Sequence, residues 1–137
     1  MSEKVMRRVM VKALTPLCGF AVENLCHPGT PDVFYIGGCI ECKQADKWPV
    51  RHTTPVRFKA VFKKEQRLFL RKWHRNGGSC WVMCQIGQEW LLFCGNVAAN
   101  LLGTLTQEQM YASAHEVWSS KRQMEKELVA CLSKPVN

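Results

Sequence analysis

Residues 32–43 read DVFYIGGCIECK, two short apolar runs with a pair of glycines between them. Glycine tolerates the positive φ of a tight turn, so the pattern predicts a β-hairpin turning at Gly37-Gly38. Both runs otherwise read as core, yet they carry Asp32, Glu41 and Lys43. Side chains alternate faces along a strand, so Glu41 and Lys43 point one way while Ile40 and Cys42 point the other. Asp32 opens the partner strand, and the turn brings it near the Glu41–Lys43 end. Two carboxylates and an ammonium therefore converge at one sheet edge. One reading is a solvated strand face with a cross-strand ion pair. The other is a site for a hard divalent cation, which takes oxygen ligands and binds through one or two carboxylates plus substrate phosphate. The backbone carbonyl of Cys42, between the two side chains, offers a further oxygen.

The remaining pattern supplies elements to cover this hairpin. Residues 3 to about 14 form a basic amphipathic helix with Val5, Met6, Val9, Met10 and Leu14 at helical spacing, ended by Pro16. Residues 19–25 read as extended and HPGTP as a loop. After the polar connection QADKWPVRHTTP comes a strand or extended segment, VRFKAVF. Residues 63–76 form a helix stopped by Gly77-Gly78. Its apolar positions Leu68, Phe69, Leu70 and Trp73 predict a buried face, with Lys64, Arg67, Arg71 and Arg75 opposite. CWVMCQI and EWLLFC read as a second hairpin, and VAANLLG as a short helix. Thr106 to Gln109 match a capping box that opens a longer helix running to Ser133. The order α-β-β-β-α-β-β-α predicts one α/β domain over 1–137, with a core at about 19–95, a C-terminal helix at about 106–133, and a central sheet with helices against it.

Composition narrows the partners. The 137 residues are 47% hydrophobic, enough for a genuine core, and no run approaches the roughly 18 apolar residues of a membrane span. The N-terminus has basic residues mixed through it and no apolar signal region, which predicts an intracellular protein. Eight cysteines then read as reduced thiols packed as small hydrophobes. A zinc site is disfavoured at Cys39 and Cys42, which point to opposite strand faces, while Cys80 and Cys84 share a face. Net charge is +8, a field that favours a polyanion, nucleic acid first. Trp73, Trp81 and Trp90 read as core. Trp48, beside Lys47 in a polar loop after the charged strand, is the tryptophan placed to meet nucleic acid.

Pro31-Asp32, eight residues, then Glu41-Cys42-Lys43 resembles the PD-(D/E)xK nuclease signature. The form PGTPDVFY…IECK is similar to the stand-alone VRR-NUC nucleases of phages and bacteria, relatives of Holliday junction resolvases. The resemblance covers residues 19 to 95 and is strongest over 23–49. It implies a restriction-endonuclease-like core, a central mixed sheet flanked by helices. It implies Asp32 and Glu41 as ligands of Mg²⁺ or Mn²⁺, Lys43 as the catalytic lysine, and Glu23 and Gln66 as the upstream acid and the helix-borne polar residue. Its implied activity is structure-selective cleavage of branched DNA such as four-way junctions, by a homodimer in the cytoplasm of a bacterial or phage-infected cell. A nicking or flap endonuclease and a catalytically silent nucleic-acid-binding module are the alternatives. Lys47, Trp48, Lys64, Arg67, Arg71 and Arg75 are the expected nucleic-acid contacts.

Overall fold

The computed structural model describes residues 1–24 and 26–133; Leu25, the end of the extended segment expected at 19–25, lies outside them. Six strands hydrogen-bond in chain order: β1 (Phe20–Ala21), β2 (Val33–Tyr35), β3 (Gly38–Ala45), β4 (Ser79–Ile86), β5 (Glu89–Cys94) and β6 (Glu116–Trp118). Neighbours run antiparallel except β3 and β4, which are parallel. Parallel neighbours need a crossover, and residues 46–63 with helix α2 (Lys64–Arg75) supply it. Helices α1 (Glu3–Ala13), α3 (Gly95–Leu101), α4 (Gln107–Ser113) and α5 (Lys121–Leu132) complete an α/β fold, a mixed sheet flanked by helices.

Alternation along β3 and β4 sorts the interior into two layers. Ile40, Cys42, Trp81 and Met83 pack with Met6 and Met10 of α1 and Met124 and Leu128 of α5. Cys39, Val82, Cys84 and Ile86 pack on the other face with Leu70 of α2 and Ala98 and Ala99 of α3. β3 is covered on both faces, and every residue from Cys39 to Ala45 is buried. Its charges are therefore inside the protein, and the solvated-face reading fails. No helix among the described residues is long and apolar enough to cross a membrane. No disulfide forms among the described residues, and Cys39, Cys42, Cys80 and Cys84 are buried. Cys39 and Cys42 fall in opposite layers, whereas Cys80 and Cys84 share one.

Four expectations need correction. The hairpin turns at Ile36-Gly37, because Tyr35 pairs with Gly38. Gly37 takes φ 112°, while Gly38 opens β3 so close to its neighbours that a Cβ would stand 2.6 Å from the Ser79 carbonyl oxygen. VRFKAVF forms no strand. Its backbone makes isolated bonds, Val56 N to Leu105 O and Lys59 N to Gln44 O, and runs as irregular crossover chain. Residues 106–133 are not one helix. The Thr106 capping box opens α4, but the His115 amide donates to Leu92 O and β6 joins the sheet edge before Ser120 caps α5. Met110 packs in the α2–α3 layer and Met124 and Leu128 in the α1–α5 layer, and one straight helix cannot reach both faces of a sheet. Finally, Leu70 is the one residue of α2 that is buried; Leu68 and Trp73 are exposed, although Trp81 and Trp90 are core. Of the apolar residues of 106–133 and α1 on which a homodimer interface could draw, Met110, Met124, Leu128, Met6, Val9 and Met10 are buried within the chain, Ala114 is half-buried, and Val5 and Val117 are exposed.

Candidate active site

The β2–β3 register decides which charges meet. Val33 pairs with Ile40, so continuing one residue sets Asp32 across from Glu41. A turn at Gly37-Gly38 would have set it across from Lys43. Asp32 Oδ2 accepts a 2.9 Å hydrogen bond from the Cys42 amide. The N–H and C=O of a strand residue leave by the same edge, so the Cys42 carbonyl faces the edge on which Asp32 stands. Glu41 is 3% exposed and Lys43 1%.

Burying these charges is costly unless they are paired and hydrogen-bonded. α2 provides the partner. The Gln66 Nε2 group donates to Glu41 Oε1 (3.0 Å), and Gln66 Oε1 accepts from Lys43 Nζ (3.0 Å) and from the Lys63 amide (2.8 Å). Lys43 Nζ also donates to the Val61 carbonyl (3.2 Å), stands 3.9 Å from Glu41 Oε1, and lies 5.2 Å from the centre of the Phe62 ring. One amide thus ties the carboxylate to the ammonium and fixes both to the helix start. Lys43 retains donor capacity beyond these two hydrogen bonds.

Glu41 Oε2 is buried and receives no hydrogen bond from a protein donor, its neighbour being the Asp32 carboxyl, a condition that native structures rarely leave unexplained. Burial first, and then the negative charge of Asp32, push the Glu41 carboxyl well above its ordinary range, with Lys43 pulling back part of the way. A divalent cation fits this donor set. Two adjacent carboxylates, an orphaned oxygen and a carbonyl at the strand edge match a hard ion that keeps several waters. The described residues contain no group of three or more His, Cys, Asp or Glu side chains that could hold a metal ion.

The other expected residues fall elsewhere. Glu23 is exposed, beside the basic groove formed by Lys4, Arg7, Arg8 and Lys12 of α1, and joins no hydrogen bond or ion pair among the described residues. Arg67 donates to the carbonyls of Ala99 and Leu102 and covers the Phe62 ring at 4.4 Å. Arg71 donates to Asn100 Oδ1 and Ala99 O. Both therefore fasten α2 to α3. Lys64 and Arg75 are exposed and Lys47 projects from the loop after β3. Trp48 donates to Glu89 Oε2 and lies 5.2 Å from the Tyr111 ring.

One residue near the cluster was missed. Glu3, in the first turn of α1, is half-buried, and its charge helps raise Glu41 and Cys42. An acid in a first helical turn reads as a favourable partner of the helix dipole, so the sequence carried no signal of a second role. Comparison with protein-family models, curated proteins and solved structures gives no match for this chain.

Proposed function

We propose that the chain is a metal-dependent endodeoxyribonuclease of the PD-(D/E)xK kind, with a restriction-endonuclease-like core similar to VRR-NUC nucleases. The observation that carries this reading is the buried Glu41–Gln66–Lys43 relay facing Asp32 across the hairpin. A carboxylate with an unpartnered oxygen and an ammonium have no packing purpose in the middle of a sheet, and replacing such pairs with apolar residues often stabilises a fold. Asp32, Glu41 and the Cys42 carbonyl would hold Mg²⁺ or Mn²⁺, which supplies Lewis-acid chemistry toward a phosphoryl oxygen. Lys43 neutralises charge on the reacting phosphate or orients the attacking water, and Gln66 holds it in place. The basic surface draws in the DNA backbone. Branched DNA is the substrate the motif favours, and a flap or nicked duplex is the nearest alternative. The test is a panel of labelled linear, nicked, flap and four-way DNAs incubated with Mg²⁺, Mn²⁺ or EDTA. Cleavage confined to the metal-containing arms is expected; no cleavage in any arm would reduce the protein to a binding module.

A further inference from the structure

Both elements that carry the site also carry aromatic rings leading away from it. On β2, Phe34 lies two residues from Asp32 and so on the same face, paired with Phe20 of β1. On α2, Phe69 and Trp73 follow Gln66 by three and seven residues, along one stripe of the helix. These rings form a chain of contacts. Phe20 and Phe34 stack at 6.2 Å, Phe34 meets Trp73 edge-on at 6.2 Å, Trp73 stacks on Phe69 at 5.1 Å, and Phe69 meets His27 at 6.0 Å. The chain is open to solvent: Phe20 is 55% exposed, Leu68 49% and Trp73 37%. Between loop residues His27 and Pro28 and helix residues Leu68, Phe69, Lys72 and Trp73 it widens into an apolar groove of about 600 Å³.

We propose that this strip binds the unpaired bases of a single-stranded DNA arm. The proposal rests on the nuclease reading for the position of the cut, and it narrows the substrate class to DNA with a single-stranded segment beside the scissile phosphate. A duplex keeps its base faces stacked inside, whereas an unpaired strand offers them to aromatic rings, with flanking cations on the phosphates. Lys72 lines the groove and exposed Lys64 and Arg75 stand at the two ends of the same helix. Glu65 is the one carboxylate on the lining. Charge also argues against a second copy of the chain as the occupant, since a two-fold contact would bring these cations against their own counterparts.

The experiment measures binding of labelled oligothymidine, of a blunt duplex and of a flapped duplex to the full chain in EDTA, so that no cutting intervenes. Oligothymidine and the flap should bind more tightly than the blunt duplex. Both should quench tryptophan fluorescence, the loss belonging to Trp73. Trp73→Ala and Phe20→Ala should each weaken single-strand binding roughly ten-fold and leave blunt-duplex binding unchanged. Phe20 is the safer variant for folding because Trp73 also packs under Gly78. Unchanged single-strand affinity in both variants would overturn the proposal, as would a dimer that Trp73→Ala converts to monomer. Metal-dependent cutting alongside unaffected variants would leave the nuclease reading standing and remove the strip. Lost single-strand binding in the variants, with no cutting by the wild type in any metal, would do the reverse.

Discussion

A carboxylate and an ammonium two residues apart on a fully covered strand hold each other through one glutamine. Gln66 touches Glu41, Lys43 and the backbone of Lys63, so Gln66→Ala should cost roughly 10–100-fold in cleavage rate, the range for residues that orient a metal site, while DNA affinity changes little. Quantified single-turnover cleavage checks this. Glu41 also makes a pH prediction. Its folded carboxyl is raised above the ordinary 4.5 by burial and by Asp32. A raised acid stabilises the fold below its unfolded value and withdraws that contribution as pH rises through the folded value. Metal-free protein should therefore lose Tm on going from about pH 5 to pH 8. Glu41→Gln should flatten that loss, and added Mg²⁺ should restore more Tm at the higher pH. An unaltered slope in Glu41→Gln, read by calorimetry, would contradict the assignment. Asp32, Glu41 and Lys43 could be read from the chain because the hairpin and its period-two spacing place them, whereas Gln66 is implied only by the family resemblance. Glu3 could not, since nothing local marks an acid that acts across the fold.

At the scale of elements, α1, the β2–β3 hairpin, α2 and the β4–β5 hairpin follow the periodicity of their own residues. The differences arise where tertiary partners outweigh local pattern. β6 is three residues long, and its Trp118 is recruited by β5 and the α1–α5 layer; no such short segment has a periodicity to detect. The exposed stripe of α2 misleads for another reason, because apolar spacing shows a face and not whether anything covers it. Register is sensitive too, since moving the hairpin turn by one residue changes the partner of Asp32. Because Trp118 is 1% exposed and Val117 37%, Trp118→Ala should cost about 3–5 kcal/mol, and Val117→Ala less than about 1 kcal/mol. Denaturant unfolding separates them. Equal small losses would argue that β6 is not docked on the sheet.

Over the whole molecule, a net charge of +8 predicts DNA affinity that falls steeply with salt, as neutralised phosphates release counterions. Reversing Lys64, Lys72 and Arg75 together should weaken binding and flatten that salt slope, whereas salt-independent binding would contradict an electrostatic footprint. Assembly is tied to substrate. A four-way junction needs two symmetric cuts, and one chain carries one site, so paired cuts should appear only where light scattering shows a two-fold dimer. With the apolar faces of α1 and α5 buried in the chain, a monomer that cuts once beside a single-stranded arm satisfies the same site. The central claim is that Asp32, Glu41 and Lys43 form a metal-dependent phosphodiesterase centre. Its most direct test is single-turnover cleavage of a labelled flap and a four-way junction by wild type, Asp32→Asn and Lys43→Met, in Mg²⁺ and in EDTA. Wild type should cut only with metal, and both variants should lose most of that activity while still binding DNA. Cleavage that survives EDTA, or a Lys43→Met protein cutting at the wild-type rate, would contradict it.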